Sequence, residues 1–99
     1  MATHPRTELN PDFANPLRFS LMALLSKVEK MPFKEARAFL DTSDSQLSKH
    51  ASALADAGYV KIHKSFTGKT PVTAYSATSA GVKAWEAHLG ALRSIVEGG

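Results

Sequence analysis

The chain has 99 residues, 43% of them hydrophobic, with a net charge of +3 and no cysteine. That length supports one core and not two, and the missing cysteine rules out a disulfide framework, a thiol nucleophile and a thiolate metal site. No run approaches the ~18 apolar residues of a membrane span and no signal-peptide pattern opens the chain, so a cytoplasmic protein without membrane contact is expected.

The distribution of charge says more than its sum. Between Asp56 and Glu86 there is no acidic residue, while Lys61, Lys64, Lys69 and Lys83 all fall there; the rest of the chain holds 8 basic and 9 acidic residues. An anionic partner would exploit such lopsidedness.

Residues 1–14 carry two prolines and no sustained periodicity, and read as an N-terminal arm. Asn15-Pro16 is a helix start, with Asn15 as N-cap and Pro16 where its missing N–H is harmless. Leu17, Leu21, Leu24, Leu25 and Val28 recur at helical spacing and predict a first helix to about Lys27. Met31-Pro32 breaks the chain, and Phe33, Ala36, Phe39 and Leu40 mark a short second helix ending near Asp41.

The stretch "SDSQLSKHASALADAGYV", residues 43–60, comes next. Ser43 followed by Gln46 is a capping-box pattern. Leu47, Ala51, Leu54 and Ala57/Gly58 form the inward stripe, with Gly58 a natural C-terminal stop. Two helices of about eight and fourteen residues joined by roughly three have helix-turn-helix spacing.

The period then changes from 3.6 to 2. Val60, Ile62 and the stem of Lys64 alternate with outward Lys61 and His63, and Thr67-Gly68-Lys69 makes a turn. Residues 70–77, "TPVTAYSA", return as a second strand, with Pro71 tolerable only at an edge or a strand start. The sequence leaves open which face of this strand is buried. Finally Val82, Trp85, Leu89, Leu92 and Val96 step by three and four over two heptads behind a Thr78 N-cap, with Ala84, Ala87 and Ala91 widening the apolar face. That is an a/d seam. It has nowhere obvious to hide in so small a domain, so a second copy of the chain is the natural partner.

The third helix has an unusual exterior: Ser45, Gln46, Ser48, Lys49 and Ser52, with Asp56 at the far end. Serines add nothing to a solvated helix, because Ser is a mediocre helix former that competes for backbone hydrogen bonds. In a DNA major groove they are useful. Short side chains allow close approach, hydroxyls donate to phosphates, and Gln or Lys reaches base edges. The N-terminal half is the part expected to enter the groove, and Asp56 sits away from it.

Gln46 and Ser48 are the first candidates for base edges, although a capping box would occupy the Gln46 amide. Lys49 suits a phosphate, as a flexible point charge. His50 lies between the two faces and reads as a partly buried histidine hydrogen-bonded near the turn, with phosphate contact as its other use. Lys61, His63, Lys64 and Lys69 either protect an exposed strand edge or meet phosphates, and the absence of nearby acid favours phosphates. Trp85 reads as core or dimer interface. The four histidines lack any i,i+4 pairing, so no metal is expected. Gly68-Lys69-Thr70 ends like a phosphate loop but lacks its first glycine. No catalytic constellation and no cofactor are expected.

The order of "FKEARAFL", a turn, "LSKHASALADAGYVKI", a hairpin, and "FTGKTPVTAYSATSAG" resembles the winged helix-turn-helix transcription regulators of the MarR and ArsR type, especially their small stand-alone members. The resemblance spans roughly residues 15–95. It implies a recognition helix beginning with Ser43, Ser45, Gln46, Ser48, Lys49 and Ser52. It also implies a wing from Lys61 to Thr70 touching backbone or minor groove, and a dimerisation helix over 79–97. Three positions depart from the family pattern: Asp41 stands where Gly is frequent, Thr42 where Leu is frequent, and Ala51 where Leu usually follows the His.

The expected fold is therefore mostly α with a small β-hairpin wing: a three-helix core, a two-stranded wing and a C-terminal dimerisation helix. Residues 15–78 would form the DNA-binding domain. The expected function is sequence-specific binding of double-stranded DNA by a homodimeric transcriptional regulator, acting as a repressor at a pseudo-palindromic site. A winged-helix module that docks proteins is the alternative. A small-molecule effector is compatible with the sequence but not indicated by it.

Overall fold

The computed structural model describes residues 4–98. Two 3-10 turns, Pro5–Glu8 and Pro11–Phe13, precede four helices: α1 (Pro16–Leu25), α2 (Phe33–Phe39), α3 (Asp44–Asp56) and α4 (Ser79–Val96). Three strands, β1 (Met31–Pro32), β2 (Val60–Thr67) and β3 (Thr70–Ala77), form an antiparallel sheet in the order β1-β3-β2. The expected three-helix core and hairpin wing are present. The sheet has a third strand that the sequence did not announce, because Met31-Pro32 pairs with Tyr75 and Ala74 at the edge, where a proline is tolerated.

The helix starts follow local chemistry. Asn15 Oδ1 accepts from the N–H groups of Leu17 (2.9 Å) and Arg18 (3.1 Å), with Pro16 at the first position. α1 ends at Leu25, two residues short of the expected Lys27. There the Ser26 hydroxyl donates to the Ala23 carbonyl (2.8 Å), and the Lys27 N–H turns back to the Leu24 carbonyl.

α2 and α3 both end in Schellman turns. In α2, Thr42 N–H reaches the Arg37 carbonyl and Asp41 N–H the Ala38 carbonyl; in α3, Tyr59 and Gly58 reach Leu54 and Ala55. Such a turn needs a left-handed residue. Gly58 supplies it at φ 85°, and Asp41 supplies it at φ 49°. Aspartate is among the few non-glycine residues that visit this region, so the missing glycine leaves the turn intact.

The core gathers Phe13, Leu21, Met22, Leu25, Ala36, Leu47, Ala51, Leu54, Val60, Tyr75 and Trp85. The segment expected to be a free arm is docked as far as it is described. Phe13 is 1% exposed and packs on Tyr59, Trp85 and His88 with ring centroids at 5.3, 5.6 and 5.3 Å. Asn10 donates its backbone N–H to His88 Nδ1 (2.9 Å) and its amide to the Tyr59 hydroxyl (3.0 Å). Only residues 1–3 of the expected arm lie outside the described residues.

The radius of gyration, 15.0 Å, exceeds the ~13 Å typical of a compact chain this long. The molecule is elongated, with extents of 58 × 24 × 20 Å.

Candidate nucleic-acid interface

α3 buries Leu47, His50, Ala51 and Leu54, and leaves Ser45, Gln46, Ser48, Lys49 and Ser52 exposed. At 100° per residue, Ser45, Lys49 and Ser52 lie along the outward centre of the helix. Gln46 and Ser48 fall on opposite shoulders, roughly 160° apart. Both are candidates for base edges, and the helix sets them apart. Ser43 caps α3, its hydroxyl accepting from the Gln46 N–H at 3.2 Å. The reciprocal half of the capping box does not form: the Gln46 side chain makes no hydrogen bond among the described residues and is exposed. Its amide is therefore available.

The wing turn fixes the rest. Thr67 pairs with Thr70, and Gly68 takes φ 63° at the first central position, as a two-residue type II′ turn requires. This register places Ile62 opposite Tyr75 and Lys64 opposite Thr73. Directly opposed residues share a face. Tyr75 is 2% exposed, so Ile62, Lys64, Thr73 and Tyr75 all lie on the face that meets α3.

Ser48, Ser52, Phe33, Ile62, Lys64, Thr73 and Tyr75 line one cleft of about 250 Å³ between α3 and the wing. Burial pushes the Tyr75 phenol up from its usual value, with the Ser48 hydroxyl pulling the other way. Tyr75 is thus a neutral floor to the cleft.

Lys61 and His63 belong to the other face. They oppose Ser76 and Ala74, and His63 Nε2 is 2.8 Å from the Ser76 hydroxyl. Burial, then Lys30 and Lys61, lower its pKa. The four basic wing residues are therefore split. Lys64 lies on the face that meets α3, Lys61 and His63 face away, and Lys69 with Thr70 stands exposed at the tip.

Three charged residues at this surface carried no periodic signal in the sequence. Arg37 on α2 pairs with Asp44 in the first turn of α3 (3.0 Å, both exposed). An exposed pair contributes little to stability, but it neutralises an acid at the end of α3 expected to approach DNA. Arg18 on α1 donates Nε to His50 Nδ1 at 3.0 Å. His50 is thus the buried, hydrogen-bonded histidine that was expected, but it is bonded to α1 and not near the turn. The Arg18 guanidinium stands on the same shoulder of α3 as Gln46, one helical turn along.

Burial lowers the pKa of His50, with Arg18 and Lys49 adding to the effect, and burial alone lowers that of His88. With His63, three histidines sit below the usual 6.5. The unfolded chain then binds more protons than the folded one between those depressed values and 6.5, so stability is full above this window and falls as pH drops through it. Urea midpoints followed by Trp85 fluorescence should decline from about pH 7.5 to about pH 5.5. His50→Gln should flatten the decline whatever it does to absolute stability. A midpoint independent of pH over this range would contradict the burial of these rings.

The seam expected at a dimer interface is only partly free. Trp85 is drawn into the chain's own core, 5% exposed, edge-on to Phe13 and 4.7 Å from Phe19. Val82, Leu89 and Leu92 are half-buried and Val96 is 85% exposed. Leu92 borders an apolar cleft of about 540 Å³ with Leu9, Pro11, Phe13, Pro16 and Phe19. No helix among the described residues is long and apolar enough to cross a membrane.

Residues 17–96 match the family described as the winged helix DNA-binding domain. Among solved structures, a transcriptional regulator homologue from Pyrococcus horikoshii OT3 is similar at 26% identity and TM-score 0.89, with 97% of each chain covered. YusO from Bacillus subtilis is similar at 18% identity and TM-score 0.75, over 95% of this chain and 66% of that one. MepR from S. aureus, in a complex with DNA, shares the fold at 11% identity and TM-score 0.75, over 93% of this chain and 75% of that one. No curated protein matches the sequence. Helices, wing and sequence agree over most of the length: the chain belongs to the winged helix DNA-binding domain family.

Proposed function

We propose that this chain is a sequence-specific duplex-DNA-binding regulator of transcription, a cytoplasmic homodimeric repressor that blocks access to its site. One observation carries the reading: Ser48 and Ser52 of α3 and Lys64 of β2 line a single cleft, and Ser45 and Lys49 extend the exposed surface along α3. α3 enters the major groove, with Ser45, Ser48 and Ser52 close to the groove walls and Lys49 on phosphate. Gln46 reads a base edge from the other shoulder, where Arg18 reaches the backbone. Lys64 meets the phosphates that border the groove, and Lys69 and Thr70 touch the next stretch of backbone. Val82, Leu89, Leu92 and Val96 of α4 form the dimer contact with the neighbouring apolar cleft, and Trp85 supports it from within.

The division of the wing lysines is the test. Lys64→Ala should weaken binding to all duplexes alike and reduce the slope of log K against log salt by about one unit. Lys61→Ala, on the far face, should leave the slope nearly unchanged. Equal losses in the two variants, or association with duplex that ignores salt, would overturn the arrangement and favour a protein-docking module.

A further inference from the structure

One feature of the wing is not used by phosphate contacts. Phe66 is 72% exposed. It lies directly opposite Pro71, also exposed. Two residues beyond Lys64 on the same strand, it points to the same side of the hairpin as Lys64 and the cleft. Nothing else in the described chain covers it.

We propose that Phe66, with Pro71 at its side, is an apolar wedge that enters the minor groove of the bound duplex and partly unstacks one base step. The inference rests on the DNA-binding reading and adds a second mode of recognition to it. Two residues of strand carry Phe66 about 7 Å past Lys64. With α3 in the major groove and Lys64 on the intervening phosphates, that reach ends at the adjoining minor groove, about 6 Å wide.

Charge selects the occupant. Lys64 precedes Phe66 by two residues on the same strand face, Lys69 follows it in the exposed turn, and no acid occurs between Asp56 and Glu86, so the tip suits a polyanion. The apolar area is also too small for a protein: one Phe and one Pro fall far short of the ~800 Å² that each partner contributes to a standard interface. Apolar side chains inserted between base steps unstack and kink a duplex, and pyrimidine–purine steps yield most easily. The wedge would therefore create a preference for a deformable step at a position α3 never touches.

The test uses the full chain and a duplex it enriches from a random-sequence pool, resynthesised with 2-aminopurine at successive flanking positions. Binding of the wild type should raise the fluorescence at one step in each half-site and at no other. Phe66→Ala should abolish that rise and bind roughly tenfold more weakly, the size of one aromatic–base stacking contact. Phe66→Leu should keep most of both, and Lys64→Ala should keep the rise at saturation. Phe66 packs on no core residue, and unchanged urea midpoints verify that each variant folds. If Phe66→Ala binds as tightly as the wild type with the same fluorescence, the wedge is refuted while the DNA-binding reading stands. If the wild type enriches no duplex, both fall.

Discussion

Adding one methyl group at residue 81 is expected to destabilise the domain by about 3 kcal/mol or more. Helix propensity alone gives the opposite sign, since alanine outranks glycine inside a helix by about 1 kcal/mol. Packing decides against it. A Cβ on Gly81 would collide with the Tyr59 carbonyl oxygen, which has no room to retreat. That carbonyl accepts from the Thr78 N–H (3.0 Å), and the Tyr59 N–H closes the end of α3 on Leu54 (2.9 Å). Thr78 ties the same knot, donating its hydroxyl to the Gly58 carbonyl (2.6 Å) and accepting from the Gly81 N–H (2.9 Å).

Gly90 provides the internal control. A Cβ there meets nothing within 4 Å, so Gly90→Ala should stabilise by about 0.5–1 kcal/mol. Urea unfolding of the two variants reads the contrast, and a Gly81→Ala protein as stable as Gly90→Ala would refute the close approach. The consequence extends to function, because this knot sets α4 against the end of α3 and so orients the recognition surface relative to the proposed dimer helix.

Phe13→Ala should destabilise by about 3–5 kcal/mol, as for other fully buried aromatic rings. Against a typical total of about 5–15 kcal/mol, this would remove a large part of the stability of the fold. Phe13 fills the space bounded by Tyr59, Trp85 and His88, and the Asn10 bonds to His88 and Tyr59 hold the segment in place. The loss should appear as a lower urea midpoint with a changed Trp85 emission in the folded state. Were the segment the loose arm its composition suggests, the substitution would shift stability by less than about 0.5 kcal/mol.

That segment shows where the sequence falls silent. Prolines at 5 and 11 suppress helical periodicity, and a single buried ring in a 3-10 turn generates no pattern, so tertiary packing alone reveals Phe13. The helices were legible because each carries its own signals: Asn15-Pro16, Ser43, Thr78 and the apolar stripe of α3. The third strand was not, since two residues of edge pairing leave no alternation to read.

The wing was half-legible. Gly68 marked the turn, and a two-residue loop sets Ile62 against Tyr75, which would have identified the buried face of β3 had the loop length been fixed first. The alternation already set outward Lys61 and His63 against Ile62 and the stem of Lys64, but all the basic wing residues were read as phosphate contacts, and only the packing of the sheet on α3 separates them. On α3, the exposed serines were legible as a class, and the spacing of two residues between Gln46 and Ser48, about the stripe of Leu47, Ala51 and Leu54, already implied opposite shoulders. Arg18 and Arg37 depend on contacts across elements, which no local spacing encodes.

The most direct measurement is selection from a pool of random double-stranded DNA by the 99-residue chain at moderate salt. One shared recognition surface on each copy of a symmetric pair should enrich a pseudo-palindrome, its half-sites about one helical turn or a small multiple apart. Gln46→Ala should alter the bases within each half-site. A pool that shows no enriched sequence after successive rounds would contradict the account.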